Sequence, residues 1–396
     1  MKVLQIVPSI SLIYGGPSQM VLGLAPALGK AGVKVTILTT DSNGDNGQKS
    51  LDVPLNQPIV KDGYEIIYFR CSPFRRYKFS LDLLNWLKIH AHEYDLAHIH
   101  ALFSPVSSLA ARICRQQKLP YILRPLGTLD PADLIKKRQL KKLYAALLER
   151  PNLAGAAAIH FTSDQEAKIS ERFGVFTKDL VLPLGVIPSE YLGNQNSIRS
   201  QYNIPQDIPI VLFMSRIDPK KGLDILIPAL ENLLLEGLKF HFILAGTNPQ
   251  DPGYEESIRK QIQNSSLGTH TTITGFVTGE SKSALLQAAD IFVLPSYYEN
   301  FGIAVAEAMV AGKPVIISDQ VHICREVEGS ESGWVGKTEV ETQTRMLREA
   351  LKDPQECQRR GLNAQKYALG HYSWDAIALQ LIQAYSQLIS STVKFF

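Results

Sequence analysis

The chain has 396 residues, more than one hydrophobic core usually supports, so it is read as two domains of about 200 residues or fewer. With 45% hydrophobic and 20% charged residues it is not a disordered chain, and a net charge of +3 from 41 basic and 38 acidic residues is too mild for nucleic acid as its main partner. The 4 cysteines, Cys71, Cys114, Cys324 and Cys357, follow neither CxxC nor metal-ligand spacing and are read as reduced, structural thiols.

The opening "MKVLQIVPSI" is basic then apolar, as a signal peptide is. Its apolar stretch is short, however, and "YGGP" stands where a small-residue cleavage site would be needed, so a first buried strand is the better reading. No stretch approaches the roughly 18 uninterrupted apolar residues of a membrane span, and a cytoplasmic protein is expected. Short apolar runs then alternate with amphipathic segments, the pattern of parallel sheets covered by helices. The strand candidates are "KVLQIV", "KVTILTT", "YEIIYFR", "LAHIH", "PYILR", "AAIHFTS" and "LVLPL". Helices are placed after Pro17, Ser80, Pro105, Asp133 and Ser163.

The rhythm restarts with "IPIVLFMS", "KFHFILAG", "TTITGFV", "DIFVLPS" and "KPVIISD". Between the halves, "PSEYLGNQNSIRSQYNIPQD" reads as a linker, with the boundary near Gly193 to Asn203. After Gly336 the chain reads as helical, ending in "SWDAIALQLIQAYSQLI" from Ser373. The expected α/β fold is two Rossmann-like domains in tandem, 1–195 and 196–372, with a terminal helix 373–396 and a ligand cleft between the domains.

Two stretches carry chemistry. In "FMSRIDPKKGLDILIPAL" a strand ends at Ser215 and a helix begins around Lys220, with Arg216, Lys220 and Lys221 crowded into the turn. Cations beside a helix N-terminus suit a phosphate-bearing ligand; the alternative is a solvated basic turn. In "YYENFGIAVAEAMVAGKPVI" the segment from Gly302 to Gly312 reads as a short apolar helix, expected to be buried with Glu307 inside it. A buried carboxylate needs a partner, which either the protein or a ligand must supply. The adjacent hydroxyls of a ribose would fit. Glu299 is expected to face neutral hydroxyls rather than a diphosphate. On one straight helix the two acids would stand about 80° apart and about 12 Å along the axis, which argues against a catalytic carboxylate pair.

The Glu-x7-Glu pattern with the upstream "SRIDPKKG" resembles the retaining nucleotide-sugar glycosyltransferases of family 4, which share the two-domain GT-B fold. The likeness extends to "YGGPSQMV", "DLAHIHALFS", "FTSDQEAKI", "ITGFV" and "SWDAIALQLIQAY", in the family's order and over nearly the whole chain. It implies that Arg216 and Lys221 bind the donor diphosphate and neutralise the leaving group, beside Ser215 at the strand end. Glu307 would take the ribose hydroxyls, Glu299 the hydroxyls of the transferred sugar, and the segment ending at Phe276 the base. Backbone N–H groups of Asn300, Phe301 and Gly302 would hold sugar and phosphate, while Gly15 and Gly16 let the first loop close over the diphosphate. The terminal helix would cross back onto the first domain. The family reaction retains anomeric configuration, the departing phosphate accepting the acceptor's proton. No metal or other cofactor is expected, because the chain has no Asp-x-Asp triplet and the two cations can serve. The implied partners are a nucleotide-sugar donor and a saccharide or lipid-linked acceptor.

The pattern breaks in two places. "LRPLGTLDP" has Leu126 where the family carries His or Arg, unless Arg124 substitutes, and "LPLGV" has Leu184 where Asn is common. Both losses are assigned to the acceptor side and hinge, and point to an unusual acceptor or sugar. They also motivate a rival reading, a non-catalytic partner subunit that keeps the donor pocket; a nucleotide-sugar epimerase is the second rival. His98 and His100 share one face of a strand without a third ligand and are read as structural. "DLIKKRQLKKLYAALLER", with Lys136, Lys137, Arg138, Lys141 and Lys142, is read as a solvated helix face, with peripheral contact to anionic lipid as the alternative.

Overall fold

The computed structural model describes residues 1–45, 48–73, 77–134, 142–186 and 197–393. Lys136, Lys137, Arg138 and Lys141 lie outside these residues, as do residues 188–196 of the expected linker. In the described remainder of that linker Ser197–Gln201 is a short helix whose Ile198 is buried, and residues 202–207 are turns and loop. The chain forms two compact units, residues 1–185 with 374–396, and residues 186–373. The division thus falls at Gly185, ahead of the polar stretch.

The first unit holds an eight-stranded sheet of order β3-β4-β2-β1-β5-β6-β7-β8. Its strands are β1 (Lys2–Ile6), β2 (Lys34–Thr40), β3 (Pro58–Lys61), β4 (Tyr64–Phe69), β5 (Leu96–His100), β6 (Tyr121–Arg124), β7 (Ala158–Phe161) and β8 (Asp179–Val181). All neighbours are parallel except β3, which runs antiparallel to β4 across the Asp62–Gly63 turn and was not anticipated. β3 is exposed along most of its length and lacks the apolar run by which the other strands announce themselves. Helices start where caps or prolines stand: Ser80 accepts from the Leu83 N–H, Ser163 accepts from the Glu166 N–H, and Pro17 and Pro105 occupy first turns.

The terminal helix Trp374–Val393 belongs to this first unit and packs on the helix Gly16–Lys30. Ile377, Ala378, Leu381, Tyr385 and Leu388 recur at helical spacing and enter the same core as Met20, Val21, Leu24 and Leu28. Trp374 is seated between two glycines. A Cβ on Gly23 would lie 2.4 Å from its Nε1, and one on Gly185 would lie 2.2 Å from its Cδ2.

Beneath that helix runs a buried polar chain. The Tyr385 hydroxyl pairs with His98 Nδ1 at 2.8 Å and accepts from Gln5 Nε2 at 3.3 Å, and Gln5 Oε1 pairs with His100 Nε2 at 2.7 Å. His98 Nε2 meets His160 Nδ1 at 3.2 Å, and His160 Nε2 reaches the Leu182 carbonyl at 3.0 Å. Burial drives the pKa of all three histidines well below the usual imidazole value, and neighbouring Arg124 adds to the shift. Arg124 is itself 2% exposed, donates to Met20 Sδ, and is brought down to about 10 by burial.

The second unit holds a six-stranded parallel sheet of order β11-β10-β9-β12-β13-β14. The strands are β9 (Ile210–Met214), β10 (His241–Ala245), β11 (Thr271–Gly275), β12 (Ile291–Leu294), β13 (Val315–Ser318) and β14 (Gly333–Gly336). β14, unanticipated, has a glycine at each end and only two residues, Trp334 and Val335, with a strand signature. Successive strands step outward from β9 in one direction and then, from β12, in the other. The order reverses between β9 and β12, and in open α/β sheets the crevice at such a reversal is where ligands bind. Three helices, Val340–Lys352, Pro354–His371 and the one from Trp374, complete the chain after β14.

Candidate functional site

The two loops at this reversal are the two stretches singled out by the sequence. β9 delivers Ser215, whose N–H donates to the Ala245 carbonyl of β10 at 3.1 Å. The basic turn follows: the Asp218 carboxylate accepts from the Lys220 N–H at 3.0 Å and starts a 3-10 turn, Pro219–Lys221. The α-helix itself begins at Leu223, three residues later than Lys220, because Gly222 intervenes with φ 72°. A Cβ on Gly222 would lie 2.1 Å from the Pro295 carbonyl oxygen, so only glycine lets this turn lie against the end of β12. The Lys220 carbonyl accepts from the Tyr297 N–H at 2.8 Å, and the Tyr297 hydroxyl donates to Asp224 Oδ2 at 2.8 Å.

Past β12, the backbone at Glu299 is anchored on both sides. Its N–H donates to the Gln320 carbonyl at 3.1 Å and its carbonyl accepts from the His322 N–H at 3.0 Å. Glu299 is therefore in an extended loop, and Glu307 alone is on the helix, Ile303–Val310. Gly302 caps that helix in the left-handed region, φ 76° and ψ 62°. No described residue accepts from the backbone N–H of Phe301 or Gly302, as expected of a helix start. Phe301 is buried and meets Tyr372 edge-on at 5.2 Å, which fixes the loop to the body of the unit. The Tyr298 hydroxyl donates to the Asn300 side chain.

The charged side chains are paired in a way the sequence reading did not foresee. Lys221 forms an ion pair with Glu299, both side chains about one fifth exposed, whereas Glu299 was expected to face only neutral hydroxyls. The physical reason is reach: Gly222 brings the basic turn onto the loop after β12, and a half-buried ammonium and carboxylate brought so close pair with one another. Glu307 likewise has a partner from the protein. Lys282 Nζ lies 2.6 Å from its Oε1, with the carboxylate side chain 15% exposed. This answers whether protein or ligand compensates the acid in an apolar helix: the protein does, through a lysine 25 residues earlier in the chain. Nothing in the local sequence pointed to Lys282 except that it is the one cation in the helix "GESKSALLQA".

The remaining predicted residues are more dispersed. Arg216 is exposed and donates to Gln250 Oε1 at 3.2 Å. Phe276 follows β11 and is 76% exposed, a large apolar ring on the surface of the same unit. Gly15 and Gly16 are in the first unit, where Gly15, φ 73°, caps the helix Gly16–Lys30. Leu126, also left-handed at φ 56°, and Leu184 pack against the first unit's core, where apolar side chains fit as they stand. Arg124, held on Met20, is not placed in an open site. His98 and His100 belong to the buried network. Among the described residues no group of three or more His, Cys, Asp or Glu is placed to hold a metal ion, and no helix is long and apolar enough to cross a membrane.

Comparison with known proteins covers both units. Residues 15–185 match the family described as Glycosyl transferase 4-like domain, and residues 194–367 match Glycosyl transferases group 1. The chain is 26% identical over 387 residues to the D-inositol 3-phosphate glycosyltransferase of Nocardia farcinica, covering 94% of this chain and 84% of that protein. It is 27% identical over 247 residues to the alpha-D-kanosaminyltransferase of Streptomyces kanamyceticus, covering 61% of this chain and 63% of that relative. Among solved structures, sucrose-phosphate synthase from Thermosynechococcus elongatus has a TM-score of 0.76 at 23% identity, over 99% of this chain and 100% of that one. Anabaena Alr3699/HepE in complex with UDP-glucose has a TM-score of 0.73 at 20% identity, over 98% and 100%. At such identities the structural likeness speaks for the fold. With a glycosyltransferase domain matched in each half and the Rossmann-like order in each sheet, the chain is a GT-B-fold protein related to the nucleotide-sugar-dependent glycosyltransferases.

Proposed function

We propose that this protein is a retaining glycosyltransferase of the family 4 type that moves a hexose-type sugar from a nucleoside diphosphate to a saccharide or lipid-linked acceptor, without a metal. The observation that carries the reading is the convergence of Lys221 and Glu299, from the loops after β9 and β12, at the strand-order reversal of the second unit. In this reading the diphosphate competes with Glu299 for the Lys221 ammonium, Arg216 adds a second cation, and the N–H groups at Phe301 and Gly302 donate to the same charge. Breaking the sugar–phosphate bond develops negative charge on the diphosphate and positive character on the sugar. Cations and dipoles fixed at the diphosphate lower that barrier. Glu299, exchanged from Lys221, takes the sugar hydroxyls, and Glu307 the ribose hydroxyls. The base rests against the segment at Phe276.

The test is a thermal-shift panel of uridine, guanosine and adenosine diphosphates and their sugars. A ligand that binds only the folded state raises stability with the ratio of its concentration to Kd, so the correct donor stands out. Lys221→Ala and Glu307→Ala should each remove most of that shift; wild-type shifts in both would refute the site. Sugar transfer or donor hydrolysis by the purified chain separates an enzyme from a subunit that only binds nucleotide, the alternative raised by Leu126 and Leu184.

A further inference from the structure

Lys282 lies outside the sequence motifs, and its placement is specific. It sits in the helix Gly279–Ala288, which starts three residues after Phe276 and leads from β11 to β12. Its helical neighbours at i−4, i−3, i+3 and i+4 are Thr278, Gly279, Leu285 and Leu286, so no acid is available on its own helix at pairing distance. Instead the side chain, 28% exposed, reaches Glu307 on the helix after β12. The steps from β11 to β12 and from β12 to β13 run the same way along the sheet, so right-handed crossovers put both helices on the same face.

The contact is made at Oε1, and no described residue hydrogen-bonds to Oε2. A carboxylate restrained at one oxygen keeps acceptor positions for two further donors. That is the requirement for receiving two adjacent hydroxyls.

We propose that Lys282 is a positioning residue for the pentose: its ammonium holds the Glu307 carboxylate in the orientation that accepts vicinal ribose hydroxyls, so that one chain segment, from Phe276 to Lys282, serves both base and sugar of the nucleoside. This rests on the assignment of Glu307 to the ribose. It makes Lys282 a determinant of preference for ribonucleotides over 2′-deoxyribonucleotides.

The experiment is calorimetric titration of the full chain with uridine, guanosine and adenosine diphosphates, then with the 2′-deoxy counterpart of whichever binds most tightly. Lys282→Met keeps the aliphatic stem and removes the charge; Lys282→Gln is a second uncharged variant should the first not fold. A hydrogen bond to a charged group is worth enough that either variant should weaken the ribonucleotide about tenfold and the 2′-deoxy form, which keeps only the 3′-hydroxyl for Glu307, by clearly less. Lys282→Arg should recover most of the preference. An uncharged variant that melts earlier yet keeps the wild-type ratio of ribose to deoxyribose affinity would show that the lysine only neutralises Glu307, and would overturn the proposal. Glu307→Gln separates the two levels. If it loses nucleotide while Lys282→Met does not, the lysine's role alone is wrong; if Glu307→Gln also binds like wild type, the ribose assignment itself falls.

Discussion

The two sheets place polar side chains on their central strands and loops in opposite ways. In the first unit, Gln5, His98, His100, His160 and Tyr385 are each at most 1% exposed, and they hydrogen-bond to one another and to the backbone. In the second unit, Lys221, Glu299, Lys282 and Glu307 lie 15–28% exposed and pair as ions within reach of water. A sealed neutral network contributes to a single packing arrangement and resists exchange of partners. A partly exposed ion pair contributes little net stability, so another charged or hydroxylated group can replace one member at small cost. The contrast distinguishes polar groups that hold this fold together from those available to a ligand.

The sharpest way to break this contrast is Lys221→Ala. If Lys221 neutralises the leaving group as proposed, its loss should cut kcat/KM for sugar transfer about a hundredfold or more, while the melting temperature falls little, because the pair it leaves is only partly buried. Equal losses of stability and activity would mean that the pair belongs to the scaffold after all.

Gly222→Ala tests the close approach on which the site depends. Strain at φ 72° costs about 1–2 kcal/mol for a non-glycine residue, and the overlap with the Pro295 carbonyl adds to it. We expect a destabilised protein by urea titration, and nucleotide affinity reduced along with it as the basic turn moves off β12. Retained affinity would show that the turn does not need this contact.

The sealed network should respond to acid. The folded-state pKa of His98, His100 and His160 lies below the unfolded value, so the unfolded chain binds more protons in acid. Their contribution is fully present above about pH 6.5, the unfolded histidine value, and is lost as pH falls from there toward the depressed folded values. Arg124 faces the same cluster, and its charge opposes protonation further. Urea midpoints measured from pH 7.5 down to 5 should decline; a flat profile would contradict neutral buried imidazoles.

The smallest effect on nucleotide binding is expected of Tyr385→Phe. It removes one hydroxyl shared by His98 and Gln5, at a cost of about 1–3 kcal/mol for the partners left buried and unsatisfied. Stability should fall and nucleotide affinity should not. A loss of affinity would mean that the terminal helix does more than close the first unit's core.

Much of this architecture could be read along the chain. Strands with a run of apolar residues were all identifiable, and caps such as Ser80 and Ser163 marked helix starts, because these signals are local. β3 and β14 escaped because one is a four-residue exposed edge and the other is short and flanked by glycine, so pairing with a neighbour, not the strand's own residues, makes them strands. The basic turn and the two acids were recognisable from charge placed where apolar residues dominate. Their partners were not, since Lys221 with Glu299 and Lys282 with Glu307 are separated by 78 and 25 residues.

What the amino-acid order settled by itself was the alternation of strand and helix, the division into two halves and the residues with chemistry to offer. Those follow from periodicity and from the cost of burying charge, which each segment carries within itself. Which charge meets which was decided only in three dimensions, where Gly222 lets the basic turn lie against β12 and parallel crossovers put the helices of Lys282 and Glu307 on one face. Coulomb attraction and hydrogen bonding act over a few ångströms, and only folding brings groups so far apart in sequence within that range.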